Sequence, residues 1–310
     1  MTGSFSKVVI PTVSSILVLT DLIGNTLVIL IILTNKSMKS PINYLLFNLA
    51  VADIMVGAFV IPKAIFQYLL PHPVGIEGKI ICKVFISGNF AWIGGAASVF
   101  SLMAICFERF LAVMYPYSVR LKLTFHIAKR IIMASWIFAS ILVSSLFVVM
   151  DYDQEKEKCI QEWPRQPSWL SKAFSLLWFT AAGFAPLAIM FVLYNRVIYS
   201  LWFKKNQVQG TQLAVLKSRK RVTKMMVTVS VVYFLTWFPT LTFYVLIEHH
   251  VHVVDIPMTD IIQVLSILVL CSSAINPFIY SLQSENFRRE LRKLLCCRKT
   301  CKNRLNPLGA

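Results

Sequence analysis

Residues 265–280 read LSILVLCSSAINPFIY. They sit in an apolar run from about Met258 to Leu282 that carries Ser272, Ser273, Asn276 and Pro277 near its end. Crossing a hydrocarbon core of about 30 Å takes about 20 mostly apolar helical residues, because lipid offers backbone N–H and C=O groups no partner. A charged side chain held at that depth costs roughly 3 kcal/mol or more, and amides are also unfavourable there, so such groups mark function.

The same pattern recurs along the chain. Apolar runs cover about Val8–Leu33, Ile42–Leu70, Val84–Met114, Ile127–Met150, Trp169–Phe203, Val222–Ile247 and Met258–Leu282. With 57% hydrophobic and 15% charged residues in 310, the composition suits a bilayer and is too apolar for a soluble domain of this length. The fold expected is an all-α membrane protein, a seven-transmembrane helix bundle over residues 1–283. Residues 284–310 form a cytoplasmic amphipathic helix and a basic, Cys-containing tail. Seven crossings put the termini on opposite sides. Of the 31 Lys and Arg, 23 fall on one set of loops and on the tail, which the positive-inside rule makes cytoplasmic, with the amino terminus outside. The net charge of +17 therefore faces anionic lipid and does not indicate nucleic-acid binding.

The apolar run from Val8 is too long for the core of a cleavable leader and carries Asn25, so it reads as the first membrane helix. The short segment before it leaves no room for a separate extracellular domain, and a ligand is expected to bind the bundle and its loops. Topology also sorts the cysteines. Cys82 and Cys159 alone lie outside, in an oxidising compartment, where a bridge would tether the loop after helix four across the mouth of the bundle. Cys106 and Cys271 lie within spans and read as packing residues. Cys296, Cys297 and Cys301 cluster inside, as lipidation candidates or plain reduced thiols.

The polar residues inside the spans form an ordered set. Helix one has Asn25 and helix two has Leu49-Ala50-Val51-Ala52-Asp53. Helix three has Ser98 and Glu108-Arg109-Phe110, helix four Trp136, and helix five Pro186 with Tyr194. Helix six has Trp237-Phe238-Pro239, and helix seven Asn276-Pro277-Phe278-Ile279-Tyr280. In order and spacing this set resembles the rhodopsin-like G-protein-coupled receptors, peptide receptors in particular. A transporter would show an internal repeat with broken helices in matching halves, and none is visible. Three departures stand out. Glu108-Arg109-Phe110 replaces the usual Asp-Arg-Tyr, Tyr233 stands where the family has Phe, and the stretch from Cys82 to Arg109 is two residues longer than usual. A bulge near Gly94-Gly95 is expected to absorb the excess.

The resemblance implies a mechanism without an enzymatic step. Glu108, Arg109, Tyr194 and Tyr280 would form the G-protein coupling switch, and Val99, Pro186, Tyr233, Trp237 and Pro239 the activation switch. Asn25, Asp53 and Asn276 would form an intramembrane polar network. Asp53, Ser98, Ser272 and Asn276 resemble the family's pocket for one Na⁺, an allosteric ion and no obligatory cofactor. The ion-free alternative is an Asp53 hydrogen-bonded to Asn25 and Asn276. The family's acidic residue at the inner end of helix six is absent, because Lys217, Arg219, Lys220, Arg221 and Lys224 are all basic, and a weak resting restraint is expected. Partners implied are a heterotrimeric G protein, arrestin, a kinase and membrane lipid, at the plasma membrane. Beyond helix seven, Phe287, Leu291, Leu294 and Leu295 lie on one helical face with Arg288, Arg289, Arg292 and Lys293 between them, the pattern of a membrane-surface helix.

For the ligand, absences are informative. Residues 83–107 contain no acid to hold an amine, and residues 261–283 contain no Lys for a retinal Schiff base. Gln67, Phe90, Trp92, Glu162, Phe243, Tyr244 and Gln263 are candidate ligand contacts. The acids Asp151, Asp153, Glu155, Glu157 and Glu162 in the loop after helix four favour a peptide of basic character. The alternatives are a lipid or other small non-amine molecule, or a ligand-independent receptor-like protein.

Overall fold

A computed structural model describes residues 2–64, 75–153, 158–203, 211–250 and 258–295. Its helices are α1 (Thr2–Thr34), α2 (Pro41–Ala64), α3 (Gly75–Ile81), α4 (Asn89–Met114) and α5 (Phe125–Val149), then α6 (Leu170–Phe179), α7 (Ala185–Ile198), α8 (Thr211–Glu248), α9 (Met258–Gln283) and α10 (Glu285–Leu295). Among the described residues, seven stretches are long and apolar enough to cross a membrane: Val8–Thr34, Pro41–Val60, Gly75–Met114, Phe125–Val149, Leu170–Phe203, Val215–Glu248 and Ile261–Gln283. The chain is thus a multi-pass membrane protein. Ile141, Val148, Phe191 and Leu282 are 68–77% exposed, so these large apolar side chains point outward, as hydrocarbon solvent allows and water would not.

The third span is continuous only in outline. After α3, a π-helical turn covers Cys82–Ile86, Gly88 adopts a left-handed conformation at φ 75°, and α4 starts at Asn89. This break is where the longer third span departs from a regular helix, and it corrects the expectation of a bulge at Gly94-Gly95. Those glycines lie in regular helix and make room for neighbours. A methyl group on Gly94 would come within 2.8 Å of the Ala52 carbonyl oxygen in α2, and one on Gly95 would run into the Trp237 indole. The fifth span holds two further π turns, Thr180–Phe184 and Tyr199–Phe203, flanking α7. α8 runs from Thr211 to Glu248 through Pro239 without interruption.

At one end of the bundle, β1 (Met150–Asp153) and β2 (Lys158–Gln161) form an antiparallel ribbon with Tyr152 opposite Cys159. At the opposite end, α10 follows α9 after Ser284. Phe287 is buried against the bundle and Leu291 packs on the core, while Arg288 donates to the Ser281 and Leu282 carbonyl oxygens at the end of α9. Those carbonyls have no helical partner, and the guanidinium satisfies them.

Candidate functional site

The middle of the bundle is a buried polar layer. Asp53 on α2 accepts from Asn276 Nδ2 at 2.8 Å and from Ser273 Oγ at 3.1 Å, both on α9, with the Ser98 hydroxyl of α4 also in reach. The serine that bonds Asp53 is Ser273, while its neighbour Ser272 is buried beside it. Asn25 does not bond Asp53. Its amide donates instead to Asp21 Oδ1 at 2.6 Å and to the Ser273 carbonyl oxygen at 3.2 Å. Asp21, one turn before Asn25, is fully buried, and the motif-led reading passed over it. Its signal was plain: it is an acid inside the first apolar run. Gly57 on α2 makes space for it, since a Cβ there would collide with the Asp21 carboxylate.

Among the described residues, Asp21 Oδ2, Asn25 Oδ1 and Asn276 Oδ1 are buried oxygens with no hydrogen-bond donor. Buried acceptors without donors are costly, and a hard cation satisfies such oxygens. The donor set around Asp53 therefore fits a small cation. A second polar bracket joins three helices, with Trp136 Nε1 of α5 donating to Asn48 Oδ1 and Asn48 Nδ2 donating to Ser101 Oγ of α4, both at 2.8 Å.

Above this layer stand the aromatic residues. Tyr233 and Trp237 on α8 stack with ring centroids 5.6 Å apart, and Trp92 meets Trp237 edge-on at 5.9 Å and Trp178 at 6.0 Å. The Tyr233 hydroxyl has a partner: it donates to the Ala182 carbonyl oxygen at 3.0 Å. Ala182 lies in the π turn between α6 and α7, where the helical hydrogen-bond ladder is shifted. Val99, Tyr233 and Trp237 share one buried cluster, and Pro186 is buried at the start of α7. The structure thus brings the predicted activation-switch residues of α4 and α8 together and adds Ala182, which side-chain reasoning could not find because its contribution is a main-chain oxygen.

The ribbon end of the bundle is tied down by several bonds. Cys82 and Cys159 are joined by a disulfide across 77 residues. Lys79 Nζ contacts Asp151 Oδ2 at 3.2 Å, and the Tyr152 amide followed by that ammonium holds the Asp151 carboxyl below its usual range. Gln161 Nε2 donates to the Tyr244 hydroxyl at 2.8 Å, tying the ribbon to α8. Of the predicted ligand contacts, Trp92 and Tyr244 take part in these inner-facing contacts, Phe243 and Gln263 are half-buried, and Glu162 is exposed. Phe90 packs against Phe59 at 4.7 Å and Phe147 at 5.3 Å, a helix-packing position between α2 and α5. Gln67 and the acids Glu155 and Glu157 lie outside the described residues, as do Cys296, Cys297 and Cys301.

At the end of the bundle that carries α10, Glu108 and Arg109 pair within α4. The Tyr194 hydroxyl lies 3.3 Å from Ser230 Oγ, linking α7 to α8, and the Tyr280 hydroxyl is buried without a partner among the described residues. Helix six, which has no acid of its own at this end, meets one from another element across an exposed contact. The acid comes from α10: Glu285 Oε2 lies 2.6 Å from Arg221 Nη1, and Gln283 Nε2 donates to Thr228 Oγ1 at 3.1 Å. Arg221 holds the Glu285 carboxyl below the ordinary glutamate range. The acid sits in a different element from the one the motif would name, so only the tertiary contact reveals it.

Several known receptors are similar over most of the chain. Neuropeptide FF receptor 2 of Rattus norvegicus is 29% identical over 294 residues, covering 86% of this chain and 67% of that protein. The substance-K receptor of Homo sapiens is 29% identical over 292 residues, covering 91% and 71%. The pyroglutamylated RF-amide peptide receptor of Rattus norvegicus is 25% identical over 297 residues, covering 89% and 67%. The profile of the 7 transmembrane receptor (rhodopsin family) matches residues 24–280, from the turn that carries Asn25 to Tyr280, and the chain belongs to that family.

Proposed function

We propose that this receptor sits in the plasma membrane with its amino terminus outside and converts the binding of an extracellular peptide into nucleotide exchange on a heterotrimeric G protein. The observation that carries the reading is the pairing of two ends. A disulfide-tethered ribbon is joined to one end of the third span, and an Arg109 held by Glu108 lies at the other end. Similar proteins named for neuropeptide FF, substance K and RF-amide peptides support the peptide class. Peptide contact at the mouth would bear on Trp92 and Tyr244, and through the Trp237–Tyr233 stack on α8. Movement of α8 away from α7 and α10 would then free Arg109, Tyr194 and Tyr280 for the G protein. Arrestin and a receptor kinase would read the same opened inner face.

Part of the acidic charge at the mouth is already engaged, because Asp151 is held by Lys79. Electrostatic steering of a basic peptide therefore falls mainly to the other loop acids. Within the bundle, Asp53, Ser98, Asn276 and the Ser272-Ser273 pair would hold Na⁺, which supplies positive charge opposite the Asp53 carboxylate and so favours the closed packing of α2, α4 and α9.

The test is nucleotide exchange by the purified receptor, reconstituted with a panel of G proteins, against RF-amide and tachykinin-type peptides. A saturable, concentration-dependent rise is expected. Exchange that ignores every peptide, or that answers only to a lipid or small molecule, would overturn the peptide assignment. Repeating agonist binding in Na⁺ and in K⁺ tests the ion: weaker binding in Na⁺ alone is expected, and equal behaviour in both salts would leave the polar layer ion-free.

A further inference from the structure

A groove of about 660 Å³ opens on the side of the bundle between the inner halves of α4 and α5 and the loop that joins them. That volume lies within the range of about 300–1,000 Å³ typical of small-ligand sites. Phe100, Met103 and Phe107 form one wall and Ile131, Ala134 and Phe138 the other. Phe100 meets Phe138 edge-on at 4.7 Å, where the two walls join. Phe107 and Phe138 are 43% and 44% exposed, so the groove opens sideways, toward the bilayer. Hydrocarbon must fill such a slot, since its walls offer water almost no partners. The one wall hydroxyl, of Ser135, already donates to the Ile132 carbonyl oxygen.

The mouth of the groove has the opposite chemistry. Arg120 and Lys122 line it from the loop, both exposed. Neither makes an ion pair among the described residues, whereas the lining acid, Glu108, is already held by Arg109. From Arg109 to Met150 the chain contains no acid at all, so neither the loop nor α5 can neutralise the pair. The counter-charge must come from another molecule.

An apolar slot open to the membrane, with two unpaired cations at its cytoplasmic end, matches a molecule with acyl chains and an anionic head. We propose that this groove is a binding site for an anionic phospholipid of the inner leaflet, with its headgroup on Arg120 and Lys122 and an acyl chain between α4 and α5. A sterol would leave both cations unanswered, and a soluble anion would leave the slot unfilled. The lipid would brace the loop after α4 against the helix that carries the Glu108–Arg109 pair. Anionic lipid is concentrated at cytoplasmic membrane surfaces, where basic side chains draw it.

The full-length receptor, purified in detergent and titrated with phosphatidylserine, gives the affinity of the first bound lipid by native mass spectrometry. The Arg120→Gln/Lys122→Gln variant should lose roughly tenfold in that affinity, while Lys217→Gln/Arg219→Gln, which removes the same charge elsewhere on the inner face, should lose less than twofold. Equal losses in the two variants would reduce the effect to general attraction and overturn the site. Ala134→Trp, which fills the slot from an exposed position, should weaken phosphatidylserine and phosphatidylcholine alike, and unchanged affinity would overturn the acyl-chain placement. A phosphatidylserine carrying a photoreactive group in its acyl chain checks the unmodified protein. It should label peptides containing Phe107 and Phe138, and labelling confined to other helices would reject the groove. Oleate binding as tightly as phosphatidylserine would replace the phospholipid with a free fatty acid.

Discussion

The two ends of the bundle are held by different kinds of bond. At the outer end a disulfide, a β-ribbon and the Gln161–Tyr244 hydrogen bond lock the loop after α5 onto the third span and α8. At the opposite end, beside the apolar packing of Met226, Tyr280 and Phe287, the polar links between helices are single contacts: Tyr194 with Ser230, Gln283 with Thr228, and Arg221 with Glu285. A typical hydrogen bond contributes about 0.5–1.5 kcal/mol, and exposed ion pairs contribute least because water and salt screen them. A disulfide closing a long loop is commonly worth about 2–4 kcal/mol. The difference teaches how a signal can cross. The covalently fixed end keeps a shape that a ligand can recognise, and the other end is held weakly enough for a coupling energy of about 1–3 kcal/mol to open it.

The largest effect expected comes from breaking the fixed end. Cys82→Ser or Cys159→Ser should reduce surface expression and agonist response together, by about thirtyfold or more, the factor by which losing about 2–4 kcal/mol shifts a folding equilibrium. Quantitative surface labelling beside radioligand binding checks it, and wild-type binding in both variants would remove the tether from the account.

A smaller effect is expected between the two ends. Tyr233→Phe keeps the stack on Trp237 but removes the hydroxyl that reaches Ala182, a bond worth about 1 kcal/mol. If that bond holds α8 against the π turn in the resting receptor, basal nucleotide exchange should rise several-fold. An unchanged or lower basal rate would show that it does not restrain α8.

The smallest effect belongs to the exposed pair at the inner end. Arg221→Glu or Glu285→Arg alone should raise basal exchange less than twofold, and the double exchange should restore it at low salt. With Glu285 held below the ordinary glutamate range, the pair forms fully above that range and is lost only as the pH falls through the lowered value. Basal exchange should therefore be flat with pH near neutrality as far as this pair is concerned. Failure of the double exchange to restore the wild-type rate would remove the pair as a restraint.

Much of this arrangement could be read from residue order, and the parts that could not share a cause. Seven apolar runs identify seven spans because hydrocarbon tolerates a spanning chain only as a helix that satisfies its own backbone. Asp53, Asn276 and Trp136 could be picked out because each carries its chemistry on its own side chain. The partner of the Tyr233 hydroxyl could not, because a main-chain oxygen in a π turn leaves no residue-type signal. Asp21 was visible as an acid in an apolar run, yet its meaning depends on the notch left by Gly57 in another helix.

The sequence by itself determined the number of crossings, the gathering of most basic residues in alternate loops and the polar residues held within the spans. Those properties follow from transfer energies that each residue carries wherever it is placed. Only the tertiary structure decided that the third span breaks at Cys82–Gly88 and not at Gly94-Gly95, that Ser273 is the serine bonded to Asp53, and that Glu285 supplies the acid facing Arg221. Each of these depends on which atoms of distant segments come within about 3 Å, the reach of a hydrogen bond, and that distance is set by how whole helices pack.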